Sequence, residues 1–197
     1  MPQNENKTVS RRAFVAATGA AIAAPYIIPA SALGKEGKAA PSERVVMGVI
    51  GTGGQARGLT GNAIKQPDTQ IVALCDVNAQ TVAEAKKQVD EFYGNQDCWI
   101  CRDFRELNAR EDIDAVIIGT PDHWHAPMAM LACEAGKHVY VEKPCAHNIR
   151  EGRLLLETAR RTGRVVQVGS QSRGTRVIQN ALQLVREGAI GDVLIAK

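Results

Sequence analysis

Val45-Val46-Met47-Gly48-Val49-Ile50-Gly51-Thr52-Gly53-Gly54-Gln55-Ala56 is the stretch that decides the fold. Its first half is a short apolar run that stops at a glycine, the pattern of a strand buried on both faces. The glycines break the strand and open a helical stretch. A second apolar run, Gln70 to Cys75, ends on Asp76, an acid twenty residues beyond Ala56. A glycine motif alone says little, but strand, glycine turn, helix, strand and terminal acid together make the dinucleotide fingerprint. Gly51 permits the tight turn, Gly53 lets the backbone approach a pyrophosphate, and Ala56 is small enough for close helix–strand packing. Gly54 and Gln55 open the helix whose free N–H groups would hold the phosphates. Asp76 can accept from the adenosine ribose hydroxyls and would repel a 2′-phosphate, which favours NAD over NADP. Val77 and Asn78 offer that phosphate no cation, so Arg57 is the candidate if NADP is taken. A site for S-adenosylmethionine uses a similar turn and acid and is the alternative on this motif alone.

The pattern outside the motif repeats the same alternation. Helical spacing covers Thr81 to Phe92, and Asp103 can cap a short helix through Asn108. Asp114 to Ile118 reads as a strand, Ala126 to Ala135 as a helix ending at Gly136, and His138 to Val141 as a strand. Ile149 to Arg161 follows as a helix ending near Gly163, and Val165 to Val168 as a strand. Strands alternating with helices of this length imply an α/β, doubly wound parallel sheet, a Rossmann domain over 44–170. Residues 171–197 read as a connecting helix, Thr175 to Glu187, and an apolar strand starting at Val193. A lone strand has no partner for its backbone groups, so it is expected to begin a second α/β substrate domain that is truncated here.

The chain has 197 residues, 45% of them hydrophobic and 23% charged, which is enough for a real core. Its net charge is +3 and its aromatic content 4%, with no basic stripe, so no nucleic-acid partner is expected. Residues 1–32 form a separate unit. Ser10-Arg11-Arg12-Ala13-Phe14-Val15 precedes an alanine-rich apolar run from Ala16 to Ile28 and the small-residue segment Pro29-Ala30-Ser31-Ala32. The run is too short to span a bilayer, and no cysteine follows it to carry a lipid, so no membrane anchor is expected. The paired arginines match a twin-arginine signal, which implies recognition by that export machinery and a periplasmic location. Residues 33–43 read as a linker.

Ligands of open α/β sheets sit beyond the carboxyl ends of the strands. Those ends carry Gly119-Thr120-Pro121-Asp122-His123-Trp124-His125, Glu142-Lys143-Pro144 and Gly169-Ser170-Gln171. With the glycine turn, the Thr-Pro-Asp-His-Trp-His-Ala segment at 120–126 and Gly136-Lys137-His138-Val139-Tyr140-Val141-Glu142-Lys143-Pro144, the chain resembles the glucose-fructose oxidoreductase / inositol dehydrogenase / MocA (Gfo/Idh/MocA) family, in particular its exported branch. The resemblance implies hydride transfer between a sugar, cyclitol or polyol hydroxyl and a nicotinamide cofactor, NAD with NADP possible. It implies that Lys143 is the catalytic-site lysine beside the nicotinamide, with Glu142 and Pro144 shaping its turn. A second domain would complete the site and the interface of a homo-oligomer. Two other readings stand beside this one: an NAD-dependent, redox-assisted glycosidase of the same family, and an inactive dinucleotide-binding fragment.

Thr120, Pro121, His123, Glu142 and Lys143 are expected to line the cofactor cleft, and His125 to act near the substrate. His123 and His125 could be a metal pair, but no third ligand lies nearby, so no metal is expected. Cys98-Trp99-Ile100-Cys101 is a C-x-x-C that does not open a helix directly, so buried thiols are expected rather than a redox pair.

Overall fold

The structure, a computed structural model, describes residues 39–195. The expected export signal and most of the linker lie outside the described residues. Pro41–Glu43, placed in that linker by the sequence, forms a turn of 3-10 helix. Then come β1 (Val45–Ile50), α1 (Gly54–Ala63), β2 (Thr69–Cys75), α2 (Ala79–Tyr93), β3 (Trp99–Cys101) and α3 (Phe104–Asn108). The second half runs β4 (Ala115–Ile118), α4 (Asp122–Glu134), β5 (His138–Glu142), α5 (Ile149–Thr162), β6 (Val166–Gly169) and α6 (Arg176–Arg186).

Each strand is local in its propensity, but the order is set by the crossovers. The sheet runs β3-β2-β1-β4-β5-β6, and every pair is parallel. The expected doubly wound Rossmann sheet is therefore present, with its strand order reversing between β1 and β4. Helices cover both faces because successive strand residues point to opposite sides. Ile50, Val116 and Ile118 pack with Leu107, Ala126 and Ala129 on one face. Val49, Leu74 and Ile117 pack with Ala56, Val82 and Val89 on the other.

Small residues set how closely the layers approach. A Cβ on Gly48 would lie 2.7 Å from Leu107 Cδ2, and one on Gly119 would lie 2.6 Å from Ala56 Cβ. Helix boundaries follow side-chain caps: Asn78 accepts from Gln80 and Thr81 amides at α2, and Asn148 from Glu151 at α5.

One expectation is corrected. α4 begins at Asp122, four residues before the sequence reading, so the histidine-tryptophan segment is the first turn of a helix and not part of a loop. Pro121 stands at its N-cap, Asp122 suits the positive end, and Pro127 withholds only one backbone donor. Residues 193–195, in the segment expected to begin a strand of a further domain, make no ladder among the described residues, and their side chains are exposed. An extended run without a neighbouring strand has nothing to pair with. α6 forms as expected but buries none of its residues. Among the described residues no helix is long and apolar enough to cross a membrane.

Cys98 and Cys101 belong to opposite faces of the sheet, so the C-x-x-C cannot close on itself. Burial raises the Cys98 thiol to about 11, and all five cysteines are free, as expected of core thiols.

Leu107 is fully buried against Gly48. Leu107→Ala should lower the unfolding free energy by about 2–5 kcal/mol through the cavity it leaves, read by urea denaturation.

Candidate functional site

The carboxyl ends of β1, β2, β3 and β4 enclose a cavity of about 890 Å³ at the point where the strand order reverses. Its floor is the turn between β1 and α1. Gly51 takes φ 80°, and a Cβ there would lie 2.8 Å from the Thr120 amide nitrogen, so only glycine closes this turn. Around Gly53 and Gly54 no atom lies within 4 Å of a would-be Cβ, which leaves the backbone open to close approach. No side chain caps α1 at Gly53. Its first amide groups are therefore available to an anion.

Asp76 closes one end of the floor. Its Oδ2 accepts from the Thr52 amide at 2.7 Å and the Thr52 hydroxyl at 2.9 Å, and its Oδ1 accepts from the Asn78 amide at 2.9 Å. Thr52 Oγ1 also lies 3.2 Å from Thr81 Oγ1. Partial burial alone would raise this carboxyl. The donors of Asn78, Thr52 and Thr81 outweigh it and hold Asp76 below the usual carboxylate range. Thr52, which the sequence reading passed over, is thus the tie between the glycine turn and the acid.

Of the sequence-predicted residues, Gly51, Gly53, Gly54, Gln55, Asp76, Thr120 and Pro121 line this cavity together. Ala56 lies beneath it, fully buried against Gly119, in the packing role expected. Arg57 is corrected as a candidate for a 2′-phosphate: it does not line the cavity and is held by Glu84 in an ion pair. Val77, Arg102, Phe104, Trp124 and Met128 line the cavity without having been expected there. Trp124 and Met128, four apart on α4, were hidden by placing that helix too late.

The second cluster stands beside the first. Glu142, only 3% exposed, ends β5. Its Oε1 accepts from Gln55 Nε2 at 3.0 Å and from Gln171 Nε2, and its Oε2 accepts from the Lys143 amide at 3.0 Å. Burial would raise the Glu142 carboxyl, but the Gln55, Gln171 and Lys143 donors and the Lys143 charge prevail and lower it. A Cβ at Gly169 would sit 2.9 Å from Glu142 Oε1, so β6 also yields room to this carboxylate. Lys143 itself is exposed and joined to Pro144 by a cis peptide. Glu142, placed on the cofactor by the sequence reading, does not line the cavity and reaches it through Gln55.

His125, expected to act near the substrate, is 1% exposed, with Nδ1 2.6 Å from the Pro144 carbonyl oxygen and Nε2 2.8 Å from that of Thr120. The buried ring thus lies between the loop after β4 and the loop after β5. His123 is exposed beside Trp124, with ring centroids 6.0 Å apart, and does not line the cavity. No group of metal-ligating side chains occurs among the described residues.

Thr120 lines the cavity, and its Oγ1 is buried without a hydrogen-bond partner among the described residues. With the open glycines, the uncapped helix and the ribose-side acid, the residues present fit a dinucleotide.

Comparison with known proteins agrees. The model of the GFO_IDH_MocA family, described as an oxidoreductase family with an NAD-binding Rossmann fold, matches residues 45–170. A glycosyl hydrolase family 109 protein from Shewanella sp. (strain ANA-3) is 33% identical over 77% of this chain and 34% of its own length. An alpha-N-acetylgalactosaminidase from Shewanella oneidensis is 32% identical over 94% of this chain and 44% of its own. The scyllo-inositol dehydrogenase of Lactobacillus casei, solved with NAD(H) and scyllo-inositol, shares 26% identity at a TM-score of 0.65, over 76% of this chain and 43% of that one. The chain thus spans less than half the length of these relatives.

Glu142→Gln should destabilise the fold by about 1–3 kcal/mol at neutral pH, because the amide cannot accept the Lys143 N–H on its nitrogen side. The folded chain keeps Glu142 ionised more readily than the unfolded chain does. The native advantage therefore exists above the ordinary carboxylate range and is lost as pH falls through the lowered folded value. Urea unfolding of both proteins from pH 7 downward should show the gap closing in acid.

Proposed function

The chain belongs to the Gfo/Idh/MocA oxidoreductase family through its NAD-binding Rossmann domain, and from that premise we propose that the whole protein transfers hydride between a sugar or cyclitol hydroxyl and a nicotinamide cofactor. The observation that carries this reading is the chain of bonds from Gln55 to Glu142 to the Lys143 amide. It sets the helix that faces the phosphates and the strand-end lysine in one frame.

In this reading Gly53, Gly54 and the first amides of α1 hold the pyrophosphate, and Asp76 receives the adenosine ribose. Thr120 and Pro121 bound the side toward the nicotinamide, with His123 at the rim. The bound nicotinamide supplies the hydride acceptor. Lys143 meets the substrate hydroxyl, and its ammonium lowers the cost of the alkoxide that develops as hydride leaves the same carbon. Pro144, held by His125, keeps the turn in place. The remaining substrate contacts, and assembly into a homo-oligomer, belong in this reading to a second α/β domain of the full-length protein. Export by the twin-arginine route to the periplasm is part of the same proposal. It is supported by Arg11-Arg12 ahead of the apolar run and the small-residue segment that follows it.

A second reading rests on the same relatives. The glycosyl hydrolase names favour a redox-assisted glycosidase, in which hydride is removed, the glycosidic bond is eliminated and hydride is returned. Aryl α-N-acetylgalactosaminide cleaved with no net NADH formation would select this reading over a dehydrogenase.

Three measurements bear on the proposal. NADH titrated into the chain should quench tryptophan emission through Trp124, and no binding at millimolar cofactor would remove the reading. In the full-length protein Lys143→Ala should cut kcat by about 10²-fold or more with cofactor affinity unchanged, whereas full turnover would refute the role of the lysine. Replacing Arg11 and Arg12 by lysines should retain the protein in the cytoplasm, and undiminished secretion would contradict the export route.

A further inference from the structure

The adenosine end of the cavity holds an acid and a base side by side. β2 and β3 pair in register with Cys75 opposite Cys101, and the Asp76 amide donates to the Cys101 carbonyl at 3.3 Å. Arg102 is therefore the neighbour of Asp76 across the strand gap, one residue past the end of β3. Both line the cavity.

The other arginines of this region are paired. Arg57 is held by Glu84 outside the cavity; Arg105 lines the cavity, as do Asp103 and Glu106, but pairs with Asp103 at 3.1 Å and lies over the Phe104 ring. Arg102 is exposed and enters no ion pair among the described residues. A guanidinium in a ligand cavity with no carboxylate to hold it is suited to a phosphate, which it can grip with two parallel N–H bonds.

Asp76 is also less repulsive than its sequence position implies. Three donors from Thr52 and Asn78 already take up its two oxygens. An acid whose charge is answered by fixed donors repels a nearby anion less than a bare one does. Asn78 and Thr81 add polar groups to the same wall.

We propose that Arg102 is the residue that reads the adenosine 2′-position, receiving a 2′-phosphate beside Asp76, so that this chain takes NADP as well as NAD. The inference rests on the dinucleotide reading above and names a determinant within it. The acid serves the ribose hydroxyl of one cofactor, and the arginine serves the phosphate of the other. Because Arg102 is exposed, its share of the binding weakens as salt rises.

Isothermal titration of the chain with NAD⁺, NADP⁺, 5′-AMP and 2′,5′-ADP tests this. The unaltered chain should bind NADP⁺ within about tenfold of NAD⁺ and 2′,5′-ADP more tightly than 5′-AMP, with the advantage shrinking in 0.5 M salt, a concentration at which the screening length is ~4 Å. Arg102→Gln should weaken NADP⁺ and 2′,5′-ADP by about tenfold or more and change NAD⁺ less than about twofold, the loss of one charge-assisted phosphate contact. Arg57→Gln should not discriminate between the two cofactors. Tight NAD⁺ binding without measurable NADP⁺ binding would overturn the assignment of Arg102, as would equal losses of both cofactors in Arg102→Gln or a selective loss in Arg57→Gln. Failure of all four ligands to bind would instead overturn the dinucleotide reading and the assignment with it.

Discussion

All six strands run in one direction, and that single constraint places everything else. A parallel pair cannot be closed by a hairpin, so each strand must be followed by a crossover that returns to the opposite edge. Every carboxyl end consequently lies on the same edge. Residues as far apart in sequence as Thr52, Asp76, Arg102, Thr120 and Glu142 are brought there together. Where the order reverses between β1 and β4, the crossovers diverge to either side and leave a gap between the strand ends. The cavity is that gap. It needs no special loop, only the two glycines that let α1 start beside Thr120.

Two carboxylates then tie the strand ends into one frame, and they do so by the same chemistry. Asp76 binds the glycine turn from β2 through both the amide and the hydroxyl of Thr52. Glu142 binds α1 from β5 through Gln55 and fixes the first amide beyond its own strand. A carboxylate at this depth is expensive to desolvate, and it stays ionised only because several donors converge on it. The lowered values of both acids record that the donors prevail. Each tie spans two elements that the sheet alone would leave free to shift, so the glycine turn and the lysine turn hold a common geometry before any ligand arrives. The buried His125 ring, set between the Thr120 and Pro144 carbonyl oxygens, adds a third link between strand ends.

How much of this can be read from the sequence depends on the range of the interaction. The strands, the glycine turn and its following acid are local patterns, and their strand–turn–helix context is legible in a single window. The sheet order follows from alternation and handedness, which are general. What the sequence leaves hidden is direction. His125 reads as a polar residue in a motif of polar residues, and nothing local says that its ring turns inward to Thr120 and Pro144. Arg57 and Arg102 are equally basic on paper. Only the register of β2 against β3 brings Arg102 into the cavity, and only the packing of α1 on α2 gives Arg57 to Glu84. The Val193 segment shows the converse: its composition suits a strand, but a strand is a relation between two segments, and the described residues supply no second one.

The division of charge in the cleft follows from those directions. Asp76 and Glu142 are turned inward and hydrogen-bonded by amides, hydroxyls and side-chain amides, so their charge serves mainly to hold the frame, while Asp103 and the exposed Glu106 also line the cleft. The cations Lys143 and Arg102 stand exposed at the two flanks of the strand-end edge. Between them lie the uncapped amides of α1, which carry the positive end of a helix dipole. The exposed cations and the start of α1 share the strand-end edge, an arrangement that suits an extended, phosphate-bearing ligand. A net charge of only +3 for the chain therefore hides the relevant quantity, which is where the uncompensated cations face.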